Sequence, residues 1–341
     1  MPPGASFLLP FRNAGATLGE ALDSIRAQTR KDWEAVLVDD GSKDAGPGIA
    51  ARYAARDPRF RLFRLRPGRG LPSALKFGVS RCRAPLIARL DADDRALPGR
   101  LELQCPRFEE DPRLAVVDGG LRLFRDRGEV PEGMRRWASW IGGIKRPEDF
   151  GKAILKESPV VHPAATIRRS ALIEVGGYRD GDFPEDHDLW LRLHARGWRF
   201  ARVGARCVEM RDREDRLTRT HPRYRKEAFR KLVMEHVGRH LLPGPGPLVL
   251  WGAGRGGRPW LRFLRSRGVV PAAVIDVDPS RIGTRLQGTV PVVPPPALEG
   301  MEAAWCLVAV GARDALPEIR VSIGALRPDW REGRDWWAVA T

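Results

Sequence analysis

Three carboxylates that directly follow a short apolar run most constrain how this chain can fold. Asp91, Asp93 and Asp94 come after the apolar residues 85–90, a run whose length predicts a buried strand. The strand must end there, because acids followed by Leu97-Pro98 cannot stay in a core. Like charges this close repel one another unless a cation lies among them, and Mg2+ or Mn2+ binds carboxylate oxygens while keeping sites for phosphate. The pattern favours a divalent-metal and diphosphate site, with a solvated acidic turn as the alternative.

The N-terminal part of the chain alternates strand, helix and strand. Residues 6–10 predict a strand, residues 16–28 a helix with Thr17 as its N-cap, and residues 33–38 a strand that ends at Asp39 and Asp40. This order indicates a βαβ unit in a parallel sheet, whose ligands collect at the carboxyl ends of the strands. We therefore expect Asp39 and Asp40 beside the loop after the first strand. Further helices are predicted at 48–56, 73–81 and 99–110, and further strands at 60–65 and 114–117.

The next segments are less periodic. Residues 126–157 are charged and contain Trp, and they predict a loop or flap rather than core. Residues 160–167 predict a strand and residues 170–175 a helix. Another helix begins with three acids and continues with apolar residues; the acids are Glu185, Asp186 and Asp188. Capping and dipole complementarity explain one or two acids at a helix N-terminus more readily than three.

The net charge of +16 arises from 59 Lys and Arg against 43 Asp and Glu. This excess suits anionic partners such as nucleotide diphosphates or phospholipid head groups, and it equally fits a genome-wide composition bias. The basic residues are scattered and form no recognisable nucleic-acid module, so we expect no nucleic-acid partner.

The 4 cysteines form no C-x-x-C pair, and the sequence has neither a signal-peptide pattern nor a long apolar stretch. We therefore expect a reduced, cytoplasmic protein that does not span a membrane. Peripheral contact with the inner face of the membrane, through Arg and the 11 Trp, stays open.

A Pro- and Gly-rich linker is predicted at 242–247, dividing the chain into a first domain at 1–241 and a second at 248–341. The second domain opens with a strand, a G-x-G-x-x-G motif and a helix, and its next strand ends at Asp276. This is the dinucleotide-binding fingerprint, in which the glycines let the backbone approach a pyrophosphate; they are Gly252, Gly254 and Gly257. The region predicts a small Rossmann-like α/β domain that binds NAD(P) or another nucleotide, or that has a structural or interaction role.

Together these motifs resemble the family 2 glycosyltransferases, whose GT-A fold joins a Rossmann-like nucleotide-binding sheet to an acceptor-binding region. The resemblance covers about residues 5–220 and follows the family's order. The matching segments are LLPFRN at 8–13, VLVDDGSKD at 36–44, RLDADD at 89–94, VVHPA at 160–164, VGGY at 175–178 and PEDHDLWLRL at 184–193. The fold class implied is α/β, with a donor half at about 1–125 and an acceptor half at about 126–241.

The resemblance also implies a role for each matched residue. Asp93 and Asp94 would bind a divalent metal, Mn2+ or Mg2+, that stabilises a diphosphate leaving group. Asp186 matches the catalytic base, which takes a proton from the acceptor hydroxyl as that oxygen attacks the anomeric carbon. One base without a second carboxylate nucleophile fits a single displacement with inversion. The donor nucleotide would lie against Pro10, Phe11, Arg12, Asn13, Asp39, Asp40 and Asp91.

Two regions depart from the family pattern. Arg12 stands where many relatives have an aromatic residue, which makes a phosphate contact an alternative to base stacking. Among several basic residues beyond the acidic helix, we expect Arg211 and Arg216 near the diphosphate. The acceptor-side candidates are Glu185, Asp188 and His162. The alternative role for Asp188 is capping of its helix, and the alternative role for His162 is a structural hydrogen bond.

We therefore expect a metal-dependent, inverting glycosyltransferase. It would move a sugar from a nucleotide-diphospho-sugar, with a UDP-sugar favoured, to a hydroxyl of a glycan, lipid-linked or small-molecule acceptor in glycan or polysaccharide biosynthesis. The alternatives are an NAD(P)-dependent oxidoreductase and a non-catalytic sugar-nucleotide-binding protein, both centred on the G-x-G-x-x-G domain.

Overall fold

The computed structural model describes residues 2–242, 246–301, 305–312 and 315–341. The chain forms two compact units, the first made of residues 1–150 and 159–221 and the second of residues 151–158 and 222–341. The division at 221/222 lies about twenty residues before the predicted boundary, so the helix that precedes the predicted linker belongs to the second unit. Part of the predicted linker, residues 243–245, lies outside the described residues.

The first unit contains an eight-stranded sheet with the order β3-β2-β1-β4-β7-β6-β8-β5. Its strands are β1 (Ala5–Phe11), β2 (Trp33–Asp39), β3 (Phe60–Arg64), β4 (Leu86–Arg89), β5 (Arg95–Ala96), β6 (Leu114–Phe124), β7 (Thr166–Arg168) and β8 (Arg199–Arg211). The first four strands pair in parallel, and β7 is antiparallel to both β4 and β6. This parallel half brings the carboxyl ends of β1, β2 and β4 to one edge.

The helices of the first unit cover the sheet and carry its loops. They are α1 (Leu18–Arg26), α2 (Gly46–Arg56), α3 (Leu71–Arg81), α4 (Arg100–Gln104), α5 (Arg107–Glu110), α6 (Glu132–Gly143), α7 (Pro147–Ala153), α8 (Arg169–Glu174), α9 (Glu185–Ala195) and α10 (Leu217–Thr220). The last three residues of α7 are assigned to the second unit. Residue Thr17 precedes α1, as predicted, but its hydroxyl does not cap the helix. It donates to the Ala92 carbonyl at 3.0 Å and so ties α1 to the acidic loop after β4.

Several predicted elements were wrong in this unit. Residues 126–157 form α6 and α7 instead of a loop, because Met134, Trp137 and Ile141 recur at helical spacing and pack on the core. Residues 160–167 form a short 3-10 helix, His162–Ala164, followed by β7. Pro106 separates α4 from α5, and β6 continues beyond its predicted end.

The second unit is a small Rossmann-like α/β fold, as predicted. Its six-stranded sheet has the order β11-β12-β10-β9-β13-β14 and is parallel except for the β11–β12 pair. The strands are β9 (Leu248–Trp251), β10 (Ala273–Ile275), β11 (Arg285–Leu286), β12 (Val290–Val293), β13 (Trp305–Val308) and β14 (Trp336–Ala338). The helices are α11 (Lys226–His240), α12 (Gly257–Ser266) and α13 (Ala315–Leu326), with 3-10 turns at Pro222–Tyr224 and Pro295–Leu298.

Within the described ranges, no helix has both the length and the apolar character needed to cross a membrane.

Candidate active site

The loops after β1 and β2 lie side by side. Phe11 pairs with Asp39, and the Asp40 amide donates to the Phe11 carbonyl at 2.9 Å. Pro10 and Phe11 are buried at the end of β1, and the Phe11 ring belongs to the hydrophobic core. Asn13 adopts a positive φ of 52°, and its side-chain oxygen accepts a 2.9 Å hydrogen bond from the Lys43 amide. These loops are therefore fixed to each other at the carboxyl edge of the sheet.

The two acids after β2 are buried and hold neighbouring backbone. Asp39 accepts a hydrogen bond from the Ser42 amide at 2.8 Å. Asp40, which is 4% exposed, accepts from the Arg69 and Gly70 amides at 2.6 and 2.9 Å and so holds the turn before α3. The Arg12 guanidinium is 4.0 Å from an Asp40 oxygen and is exposed at the mouth of this cleft. Among the described residues, Arg12 has no closer ion pair than this one, so its guanidinium can meet a phosphate.

The acids after β4 form a compact cluster. One carboxylate oxygen of each of Asp91, Asp93 and Asp94 lies within 4.8 Å of the others. Asp94 Oδ1 accepts from the Arg211 amide at 2.9 Å, whereas Asp94 Oδ2 is buried and has no hydrogen-bond partner among the described residues. Burial and the neighbouring acids raise the pKa of Asp93 and raise that of Asp94 further. A hard divalent cation would satisfy the orphaned oxygen and relieve the repulsion, so these three residues fit a metal ion.

Three arginines at and just after the end of β8 contribute unequally to this cluster. Arg211 has a buried side chain that donates to Asp126, to Glu20 at 2.6 Å and to the Asp93 carbonyl at 3.1 Å. Its guanidinium therefore holds the acidic loop in place and is not free to bind a diphosphate. Arg213 is one of the basic residues from which the sequence favoured Arg211 and Arg216. It lies 3.3 Å from an Asp93 oxygen, and the charges of Arg213 and Arg216 both lower the pKa of Asp93. These two cations face the cluster.

Asp186 lies in the first turn of α9 and is only partly exposed. Its Oδ1 accepts a hydrogen bond from the His187 amide at 2.8 Å. Loss of solvent, and then the charge of the buried neighbour Glu185, raise the pKa of Asp186 to about 7. A carboxyl group that titrates near neutral pH has the proton affinity that a general base needs.

The other predicted acceptor-side residues have structural partners. Asp188 accepts hydrogen bonds from Arg192 at 2.9 and 2.6 Å, and Arg192 also donates to the Gly177 carbonyl at 2.8 Å. Asp188 therefore ties α9 to the turn that precedes it. His162 Nε2 shares a 2.8 Å hydrogen bond with the Tyr178 hydroxyl, and burial lowers the pKa of His162 well below its usual range. Both residues support the walls of the site.

Arg89, also absent from the predicted set, is the last residue of β4 and contacts the acid cluster. Its Nη2 lies 2.7 Å from Asp91 Oδ1, and only 2% of its side chain is exposed. The one signal in the sequence is a charged residue inside an otherwise apolar run.

The glycine motif of the second unit forms the turn between β9 and α12. Gly252 has a φ of 119°, and a Cβ on Gly257 would lie 1.7 Å from the Gly252 carbonyl oxygen, so both positions require glycine. The Asp276 carboxylate accepts from the Ala253 amide at 2.7 Å and pairs with Arg281 at 3.2 Å. The same Arg281 nitrogen is 3.2 Å from where a Cβ on Gly254 would lie. Since Asp276 is already bonded within the loop, a nucleotide site here stays a prediction.

Comparison with known proteins identifies the family. The family model for "Glycosyl transferase family 2" matches residues 6–176. The putative glycosyltransferase EpsE of Bacillus subtilis is 31% identical over 221 residues, which cover 64% of this chain and 76% of EpsE. The O-antigen biosynthesis glycosyltransferase WbnJ of Escherichia coli is 30% identical over 176 residues, 51% of this chain and 65% of WbnJ.

The fold has solved counterparts as well. The crystal structure of S. aureus TarS 1-349 in complex with UDP-GlcNAc matches with a TM-score of 0.53 at 17% sequence identity, covering 72% of this chain and 67% of that one. With the family-model match and the similarity to EpsE, this agreement shows that the chain belongs to glycosyltransferase family 2 and has the GT-A fold.

Proposed function

We propose that the first unit is a metal-dependent, inverting glycosyltransferase that moves a sugar from a nucleotide-diphospho-sugar to an acceptor hydroxyl. The observation that carries the proposal is the acid cluster with a buried, unsatisfied Asp94 oxygen at the carboxyl edge of the sheet. Arg89 connects it to the acids of α9, because its guanidinium contacts Asp91 and its charge acts on Asp186. A leaving-group site and a base thus share one buried cation.

At the donor end, Asp91, Asp93 and Asp94 would hold the metal, whose positive charge would stabilise the diphosphate as it leaves. Arg213 and Arg216 face the same cluster and would bind the outer phosphate oxygens. The base and ribose would lie against the paired loops after β1 and β2, where Asp40 is buried. We favour a UDP-sugar, since the TarS structure contains UDP-GlcNAc.

At the acceptor end, Asp186 would take the proton of the attacking hydroxyl. Glu185 would assist by raising the proton affinity of Asp186, as the two like charges lie on one buried turn. Asp188 is bound to Arg192 and so is not available as a nucleophile. One base, with Asp188 already paired, supports a single displacement, which inverts the anomeric centre.

The relatives' names suggest the pathway. WbnJ acts in O-antigen biosynthesis, and a further relative from Erwinia amylovora is named an amylovoran biosynthesis glycosyltransferase. We propose glycan or polysaccharide biosynthesis for this chain, with a glycan, lipid-linked or small-molecule acceptor. We propose a cytoplasmic location, with peripheral contact at the inner face of the membrane as the alternative, and an accessory role for the second unit.

The test is release of nucleoside diphosphate from a panel of UDP-, GDP-, CDP- and dTDP-sugars with Mn2+, using water or added sugars as acceptors. We expect one donor class to turn over, and Asp186→Asn to lose turnover by at least about a hundredfold while still binding the nucleotide. Asp188→Asn, the same change two residues away, should keep most of the turnover of its folded fraction. Full turnover in Asp186→Asn would remove Asp186 from its assigned role.

A further inference from the structure

Arg89 is buried, and two of its side-chain nitrogens have no hydrogen-bond partner among the described residues. Its backbone amide donates to the Ala165 carbonyl at 2.9 Å, which fixes the residue where β4 meets β7. Nη2 pairs with Asp91, but Nε and Nη1 are buried and have no hydrogen-bond partner in the part of the chain that the structure describes. Leaving buried donors unpaired destabilises a fold, so stability alone does not explain this residue.

Arg100 provides the contrast within the same unit. It is equally buried, yet its guanidinium donates to Gln104 at 3.0 Å and to the carbonyls of Pro163 and Ala165 at 2.9 and 3.0 Å. Arg100 thus has the contacts expected of a structural arginine, whereas Arg89 has one ion pair and two unused donors. The difference indicates that the charge of Arg89 serves the site.

The groups around Arg89 belong to both ends of the site. Asp91 lies two residues after Arg89, in the loop that follows β4. Burial lowers the pKa of Arg89, but the charges of Asp91 and, less strongly, of Glu185 on α9 raise it, and the pKa is raised overall. The 3-10 helix beside it carries His162, which bonds Tyr178 and packs edge-on against the Trp190 ring of α9 at 5.8 Å between centroids. Among the described residues, the charged groups that act most strongly on Asp186 are Glu185 from α9 and Arg89 from β4, and the charge of Asp186 in turn acts on Tyr178 from the segment before α9.

We propose that Arg89 is a positioning residue for the transfer reaction: it holds Asp91 in the acid cluster and, as a buried cation shared with α9, favours the ionised form of Asp186. The proposal rests on the function proposed above, because it takes Asp186 as the base. Burial and Glu185 act against the ionised base, and Arg89 acts for it. Without Arg89, Asp186 would hold its proton to higher pH.

The experiment is the pH profile of kcat/KM, from about pH 5 to 9, for the wild-type chain, Arg89→Lys and Arg89→Gln with the donor found in the nucleotide-sugar panel. Glutamine keeps a donor for Asp91 but removes the charge, so the acidic limb should move up by about one pH unit. Lysine keeps the charge, and the limb should move less. Arg202→Met is the matched control, because it removes a buried arginine that pairs with Asp118 and should not move the limb.

The outcomes separate the two proposals. An unshifted limb in folded Arg89→Gln, or an equal shift in Arg89→Lys, would overturn the role of Arg89. A wild-type profile without an acidic limb, or an active Asp186→Asn variant, would instead overturn Asp186 as the base. If Arg89→Gln does not fold, Arg89→Lys decides alone: a limb that moves as far as about one pH unit although the charge is kept would contradict the proposal.

Discussion

Replacing Asp186 with asparagine should stabilise the protein while abolishing transfer. The surroundings raise the pKa of Asp186 from its ordinary value of 3.8 to about 7, so the folded state resists ionisation of this group. At about 1.4 kcal/mol per pKa unit, the rise corresponds to roughly 4 kcal/mol. The carboxylate is partly exposed, and solvent screening reduces this to about 2 kcal/mol. Asparagine keeps an oxygen for the His187 amide and cannot ionise.

The sign of the effect depends on pH. Below about pH 4, Asp186 is protonated in both the folded and the unfolded chain and contributes no penalty. Between about pH 4 and 7 the unfolded chain ionises first, so this group lowers the free energy of unfolding, and above about pH 7 the penalty is complete. The gain in Asp186→Asn should therefore be full at pH 8 and only about a quarter as large at pH 4.5, where the unfolded chain has begun to ionise.

The assay is thermal and urea unfolding of both proteins at the two pH values. A gain of about 2 kcal/mol should raise the melting temperature of a unit of this size by about 4–8 °C at pH 8. Asp188→Asn is the control on the same helix turn: it breaks a largely buried ion pair with Arg192 and should destabilise by about 3 kcal/mol. An Asp186→Asn variant that is no more stable than wild type at pH 8, or equally stabilised at pH 4.5, would refute the argument.

Three further predictions concern other parts of the molecule. Asp94→Asn removes a carboxyl group whose ionisation is opposed by burial and by the neighbouring acids, so it should raise the metal-free melting temperature at pH 7.5. The same variant should weaken Mn2+-dependent nucleotide binding at least about tenfold in calorimetry, and unchanged binding would exclude Asp94 as a ligand. Arg211→Met should release Glu20 and the acidic loop and lower kcat/KM without changing the nucleotide class that binds; wild-type kinetics would contradict a supporting role. Gly257→Ala places a Cβ 1.7 Å from the Gly252 carbonyl oxygen, so it should destabilise the second unit by more than about 2 kcal/mol in urea unfolding, and a neutral effect would show that this turn relaxes freely.

The sequence predicted the features that depend only on residues close together in the chain. The acids after β2 and β4 follow apolar runs directly, and the α9 pattern places its acids in the first turn, so these positions could be inferred without tertiary contacts. Strand β8 was missed, because its partly exposed middle, residues 203–206, interrupts the apolar pattern where it pairs irregularly with β6. Segment 126–157 was misjudged, because the apolar face of α6 is narrow among charged residues.

The arginines show why the rest of the site could not be predicted. Arg211 is the last residue of β8 and donates to Glu20, which is 191 positions away in the chain. Nothing near either residue indicates that they pair, so the sequence suggested a phosphate contact for a side chain that the fold uses internally. Arg89 was overlooked, and Arg213 was named among the candidates but not preferred, for the same reason: their importance comes from the acids that they contact in the folded chain.

The most direct test of the central claim is the melting temperature of the purified protein with UDP, GDP, CDP, dTDP or NAD, each with and without Mn2+, in the wild type and in Asp93→Ala. A metal-dependent transferase site predicts that one nucleoside diphosphate stabilises the protein only when Mn2+ is present, and that Asp93→Ala loses this stabilisation. Stabilisation by NAD alone, indifferent to Mn2+ and unchanged in Asp93→Ala, would contradict the claim and move the nucleotide site to the second unit.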